Sequence, residues 1–422
     1  MLDALIRDAL CAPANATGYV LHESLLRAYP DDYVFMTGDP SFDIDTFVAR
    51  TDAKVFVHDA PAPQEGHRWR GPGKGILSGL DMGRRTVSFE GRSYEVFSAV
   101  WTEGSHLRMA MTWIVGPDRQ TTLAFAERVA EVANEVRGEV LVFANGCWSR
   151  SVELHGAIRG STFENLVLPP GMIEELRSEL EFLKSRDRYA HYGAPWKRGV
   201  LLVGPPGNGK THCIKALLNH LRIPCLYVQS FEAPYTNPQR NVAAVFERAR
   251  RTTPCALVLE DLDSLLTETT RSFFLNELDG FARNEGILTL ATTNHPERLD
   301  PAIADRPSRF DRKYNFDLPA ESERLAYLEL WNGNVEGASR LSHDGLREIA
   351  EATDGFSFAY VKELMLSSLM KWVSHQSQGA LLDVVRRQVA GLAAQMKSAP
   401  SQHSRTRIVE EYGDETPDRG FA

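Results

Sequence analysis

The run Gly204-Pro205-Pro206-Gly207-Asn208-Gly209-Lys210-Thr211 carries the plainest chemistry in this sequence. It has the form GxxxxGK[ST]. In this form glycines let backbone N–H groups turn inward around phosphate oxygens, and the following helix lends the positive end of its dipole. Lys210 supplies a mobile cation for terminal phosphates, and Thr211 supplies a hydroxyl for the accompanying Mg²⁺. The ligand this implies is a Mg²⁺-bound nucleoside triphosphate.

Such a loop needs carboxylates beside it. The segment Cys255-Ala-Leu-Val-Leu-Glu260-Asp261-Leu-Asp263 is an apolar run ending in acids. One acid can hold the metal through water, and the next can polarise an attacking water. Taken alone, the pair reads equally well as solvated acids at a strand end; Lys210 tips the balance. A further apolar run, 287–291, leads into Thr292-Thr293-Asn294. The amide there either orients the water or closes a turn. In Arg306-Pro-Ser-Arg309-Phe-Asp311, two arginines three apart either project together from a short turn or form a surface pair.

Strand ends have to deliver these groups. Residues 200–203, 255–259 and 287–291 are short apolar runs of the kind buried in parallel sheets, and 212–221 reads as a helix. The expectation is an α/β ATPase domain with a parallel sheet over 161–320, a helical lid over 321–398 and a flexible acidic tail over 399–422. Residues 171–190 read as a connector helix with Ile173, Leu176, Leu180 and Leu183 on one face. Before residue 161 strand patterns dominate. Leu107, Met109, Met111 and Trp113 alternate with Arg108, Ala110 and Thr112; 93–101 is the expected partner strand, 119–136 a helix and 139–144 another strand. This predicts an N-terminal α+β domain over 1–160, with 60–75 as a Pro- and Gly-rich loop.

Composition bounds the rest. The 422 residues hold 47 Lys+Arg against 56 Asp+Glu, a net charge of −9, which weighs against a surface built for nucleic acid. Five cysteines without a CxxC argue against a disulfide scaffold or zinc site. The start lacks a secretory signal pattern, and no run of about 18 apolar residues occurs. The expectation is a soluble cytoplasmic protein in a reducing compartment, without a membrane span. HExxH and GxSxG are absent from the sequence.

In order, GPPGNGKT, LVLEDLD, LATTN and RPSRFDRKY resemble the motifs of the AAA family of P-loop ATPases over about residues 165–375. The resemblance implies ATP and Mg²⁺ as cofactors, and a parallel core topped by a lid that contacts nucleotide through Gly355-Phe-Ser-Phe358-Ala359, where the family's pattern is GxxGA. It implies Thr211 and Glu260 on the metal, Asp261 on the water, Asn294 as the sensor-1 residue, and Arg306 and Arg309 as arginine fingers reaching a neighbour's ATP. The reversed order Glu260-Asp261, and the stretch from Met109 to Tyr192-Gly-Ala-Pro-Trp-Lys-Arg-Gly199, resemble one branch in particular. That branch contains the mitochondrial chaperone that translocates the Rieske iron–sulfur protein, whose membrane helix has no counterpart in this sequence.

By this resemblance the chain is an ATP-hydrolysing ring of six or seven copies that remodels or moves a protein client. The alternatives are an ATP-gated switch or assembly scaffold, and a nucleic-acid-handling ATPase. In the loop Ser230-Phe-Glu-Ala-Pro-Tyr235, Phe231 or Tyr235 either lines a pore or packs against the sheet or the subunit seam. His67-Arg-Trp-Arg70, Lys74 and Arg84-Arg85 either bind nucleic acid or are solvated. Leu364, Leu366, Leu369, Met370 and Trp372 read as lid core rather than as a partner groove.

Overall fold

The structure is a computed structural model. It describes residues 13, 16–39, 42–58, 64–69, 76–103, 107–234, 236–279, 284–304, 306, 309–335, 337–374 and 380–398. Tyr235, Arg70, Lys74 and the tail 399–422 lie outside the described residues. The chain divides into two compact units, Met1–Glu135 and Val136–Ala422.

Unit 1 contains α1 (Thr17–Ala28), β1 (Tyr33–Thr37), α2 (Ile44–Arg50), β2 (Lys54–Val57), β3 (Gln64–Trp69), β4 (Ile76–Phe89), β5 (Arg92–Glu103), β6 (Leu107–Gly116) and α3 (Arg119–Asn134). The strands form an antiparallel sheet in the order β1-β6-β5-β4-β2, with β3 also on β4. Alternation along the strands splits its apolar residues between two faces. Tyr94, Val96 and Ile114 pack with Phe47 of α2 and Phe125 of α3, while Phe97, Ala99 and Trp113 pack with Leu21 and Leu25 of α1. Asp43 caps α2, its carboxylate accepting from the Thr46 N–H at 3.0 Å. The loop expected over 60–75 contains β3 instead. Its side chains carry no apolar alternation, and its antiparallel ladder with β4 is a backbone pairing that composition does not register.

In unit 2 the sheet runs β13-β9-β12-β11-β10-β7-β8. The strands are β7 (Val140–Ala144), β8 (Cys147–Ser151), β9 (Arg198–Val203), β10 (Cys225–Val228), β11 (Cys255–Leu259), β12 (Ile287–Thr293) and β13 (Arg312–Asn315). Every pairing is parallel except the β7–β8 hairpin at one edge. The helices of eight residues or more before the lid are α4 (Val152–Arg159), α5 (Met172–Leu180), α6 (Lys210–Leu221), α7 (Pro238–Arg251) and α8 (Glu268–Asp279). They cover both faces. Val140, Val142, Ala256 and Val258 point to the side of Leu176, Ile214 and Leu217. Leu141, Phe143, Leu257 and Leu259 point to the side of Val245, Phe246 and Phe274.

The expected domain boundary at 160 falls inside unit 2, because β7 pairs with β10 and joins residues 140–151 to the parallel sheet. The expected connector helix is broken: α5 gives way to a 3₁₀ turn at Glu181–Lys184 and then to a short helix, Arg186–His191. Lid helices α9 (Glu321–Gly333), α10 (His343–Ala352), α11 (Phe358–Ser374) and α12 (Leu381–Ser398) follow. They share a core of Leu328, Ile349, Leu364, Trp372 and Val385. Leu366 and Met370, read as lid core, stand 45% and 65% exposed on the outer face of α11.

Candidate functional site

The phosphate loop joins β9 to α6. Gly204, Gly207 and Gly209 take φ of +144°, +83° and +90°, backbone that side chains resist. Two of them are also closed to a Cβ. At Gly204 it would lie 2.2 Å from the Phe316 carbonyl oxygen, and at Gly207 2.8 Å from the Ala359 Cβ. The turn between them is made by half-buried Pro205 and exposed Pro206. Asn208 is buried, and its Nδ2 donates to the Phe316 carbonyl at 3.4 Å. Lys210 is 6% exposed and donates from Nζ to the carbonyls of Gly204 at 2.5 Å and Pro205 at 2.9 Å. Burial lowers its pKa from the ordinary lysine value, against the opposing pull of Asp261 and Asp263. Thr211 is exposed in the first turn of α6.

The lid rests on this loop. Ala359 donates its N–H to the Gly207 carbonyl at 3.0 Å, with Ser357 buried beside it. Phe358, standing where the resemblance expects a second glycine, does not prevent the contact.

At the end of β11 two acids diverge. Asp261 adopts left-handed backbone, φ +50°. Its N–H donates to Thr292 Oγ1 at 2.9 Å, and its Oδ1 accepts from Asn294 Nδ2 at 2.8 Å. The parallel pairing of β11 with β12 thus sets the second acid against the expected sensor amide. Asp263 accepts from Thr293 Oγ1 at 2.7 Å. Sequence reasoning did not single out these threonines, although two consecutive threonines at the end of an apolar run were a usable signal.

Glu260 accepts from the Tyr227 hydroxyl through Oε2 at 2.9 Å, whereas its Oε1 is buried without a hydrogen-bond partner among the described residues. Burial, then the Glu260 charge, push the Tyr227 phenol far above its ordinary pKa and keep it a donor. Thr211, Tyr227 and Glu260 line a cavity of about 140 Å³ with Ile214 and Val258. Tyr227, Glu260, Asp261 and Ser264 also line a cleft of about 280 Å³. A glycine cradle, a buried lysine and an unpartnered carboxylate oxygen fit a Mg²⁺–nucleotide: Lys210 and the loop N–H groups for phosphate, Thr211 and Glu260 for the cation. Among the described residues no group of three or more His, Cys, Asp or Glu is placed to hold a metal on its own.

The two arginines do not project together. Arg306 is exposed. The Arg309 side chain is 8% exposed; its Nε donates to Asp279 at 2.6 Å, and its guanidinium also donates to the Ala302 carbonyl. Arg309 donates its N–H to the Arg306 carbonyl at 3.0 Å, yet one side chain is exposed and the other is held within the same chain. Phe231 is buried against Phe274, their ring centroids 6.4 Å apart, so it packs against the core.

Residues 200–318 match the ATPase family associated with various cellular activities (AAA). The chain carries an AAA ATPase domain. ATP hydrolysis is the reaction of such a domain, with ATP and Mg²⁺ its cofactors. The AAA domain's curated relatives include the ATP-dependent zinc metalloprotease FtsH of Acaryochloris marina, 32% identical over 281 residues, or 60% of this chain and 42% of the relative. FtsH of Acidothermus cellulolyticus is 36% identical over 213 residues, covering 46% and 31%. FtsH 1 of Methylacidiphilum infernorum is 35% identical over 237 residues, covering 51% and 37%. The chain therefore spans less than half the length of these relatives. Among the described residues no helix is long and apolar enough to cross a membrane.

Proposed function

We propose that this chain is an ATP-driven AAA ring ATPase that remodels or moves a protein client, with hydrolysis shared between neighbouring copies. The observation that carries the reading is the meeting of Asp261 and Asn294 at 2.8 Å beside the glycine loop. In this reading Asp261 takes a proton from the attacking water, and Asn294 fixes the carboxylate that does so. Lys210 neutralises phosphate charge, and Thr211 and Glu260 hold Mg²⁺. Exposed Arg306 stabilises the charge on a neighbour's phosphates. Arg309, tied to Asp279, either leaves that pair on assembly or serves by bracing the turn that carries Arg306.

The order Glu260-Asp261 favours the branch of the Rieske-protein chaperone, and with it a ring of seven over one of six. Zinc proteolysis, which is in the names of the relatives, is not part of the proposal. Unit 1 would choose the client. A second reading, an ATP-gated assembly switch, draws on Arg309: a finger locked inside its own subunit would make hydrolysis conditional on assembly. Electron microscopy of the ATP-bound protein tests the ring, with closed rings of six or seven expected. A particle that stays monomeric at saturating ATP overturns it. Turnover stimulated by an unfolded or folded protein favours remodelling; turnover indifferent to any protein favours the switch.

A further inference from the structure

Among the described residues Glu260 has one hydrogen-bond partner, and that residue is not part of the AAA motifs. Tyr227 sits on β10, in parallel register opposite Val258 of β11. Its ring packs against the apolar cluster that contains Val258. Glu260 follows two residues later, where β11 has already ended, so the phenol extends past the last rung of the ladder to reach the carboxylate. The two residues form part of the wall of both neighbouring cavities, one of which also includes Thr211. A carboxylate with one oxygen in a hydrogen bond is restrained in rotation, and here the other oxygen is buried without a partner among the described residues. Its free oxygen is also the stronger base for a cation or a cation's water.

We propose that Tyr227 is a positioning residue for the metal side of the ATPase site: its hydroxyl holds Glu260 Oε2 so that Oε1 is the oxygen left for Mg²⁺ or its bound water. The inference rests on the Mg²⁺–ATP reading of this site and names a residue outside the motifs that support that reading. A phenylalanine keeps the ring's packing and removes only the hydroxyl. Oε2 then loses its partner and the carboxylate is free to turn.

The test uses the full chain with a non-hydrolysable ATP analogue. Mn²⁺ affinity is read by electron paramagnetic resonance, and metal-free nucleotide affinity by fluorescence in EDTA. Tyr227→Phe is expected to weaken Mn²⁺ by about 10–100-fold while leaving metal-free nucleotide binding unchanged. In a Glu260→Gln background the same substitution should add no further loss, because the carboxylate it positions is gone. Three results overturn the inference: unchanged Mn²⁺ affinity in Tyr227→Phe, an additive loss in the double variant, or an equal fall in metal-free nucleotide binding, which would place the effect in packing. If the unsubstituted chain binds the nucleotide analogue but that complex takes up no Mn²⁺, the metal reading itself fails and Tyr227 falls with it; that outcome is distinct from a failure confined to Tyr227→Phe.

Discussion

Glu95 on β5 and Glu260 at the end of β11 are both half-buried carboxylates beside a sheet, and they end differently. Glu95 has both oxygens engaged, by Arg84 Nε at 2.6 Å and by Thr86 Oγ1 at 2.5 Å. Glu260 has one engaged and, among the described residues, one without a partner. Position in the sheet explains the contrast. Thr86 lies directly opposite Glu95 in the antiparallel β4–β5 ladder, so a mid-strand charge meets cross-strand partners on its own face. Beyond the last residue of a parallel strand the ladder has stopped, and the only neighbours are other strand ends and the loops that follow them. Polar groups gather there with valences to spare. Of the arginine pair 84–85, Arg84 follows the same rule, while Arg85 is met by Asp45 of α2. Both side chains are paired with carboxylates of unit 1.

If the contrast is right, removing a charge at the strand ends of unit 2 should change rate and leave folding largely intact. Arg306→Ala makes the largest difference: about 10³–10⁵-fold lower turnover for loss of an arginine acting on a neighbour's phosphates. Mixing it with Lys210→Ala subunits should restore part of the rate, since each supplies what the other lacks; mixtures that stay inactive at every ratio would remove the shared site. Asp261→Asn should slow single-turnover hydrolysis by about 10²–10⁴-fold with ATP still bound. Near-normal turnover would move the water-activating role to another group. Lys210→Ala should weaken ATP by about 100-fold in calorimetry, the worth of one buried charge-assisted contact, with little change in thermal midpoint. Normal affinity would mean the lysine's bonds to Gly204 and Pro205 are its whole role.

The site was more legible in the sequence than its surroundings. GPPGNGKT, the acids after β11 and the amide after β12 each follow an apolar run, so their strand-end placement could be read from pattern alone. What could not be read were contacts set by tertiary geometry. The Tyr227–Glu260 bond depends on β10 lying beside β11. The seat of Arg309 depends on Asp279 at the far end of α8. The attachment of β7–β8 to the parallel sheet depends on a pairing across more than eighty residues, Leu226 with Leu141. Phe231 was open between pore and core because an aromatic after a strand looks the same in either place. In unit 1, β3 was hidden because its pairing is written in backbone bonds.

The reverse half of the comparison is that a charge in unit 1 should change folding and leave ATP turnover alone. Arg85 and Asp45 supply the sharpest case because their burial is unequal: the arginine side chain is 7% exposed and the aspartate 57%. Asp45→Ala strands a buried guanidinium whose other polar contact, Ser98 Oγ, lies at 3.4 Å. Discounted for the solvent that already reaches Asp45, the loss should be about 2 kcal/mol, about 30-fold less hydrogen-exchange protection in the β4 and β5 peptides. Arg85→Met removes the buried charge itself and leaves a carboxylate that water can solvate, so its cost should stay under about 1 kcal/mol. Equal losses from the two substitutions would mean the pair acts as an ordinary surface bridge. A fall in ATPase rate from either would break the separation between a sheet whose charges are spent on folding and one whose strand ends keep them for chemistry.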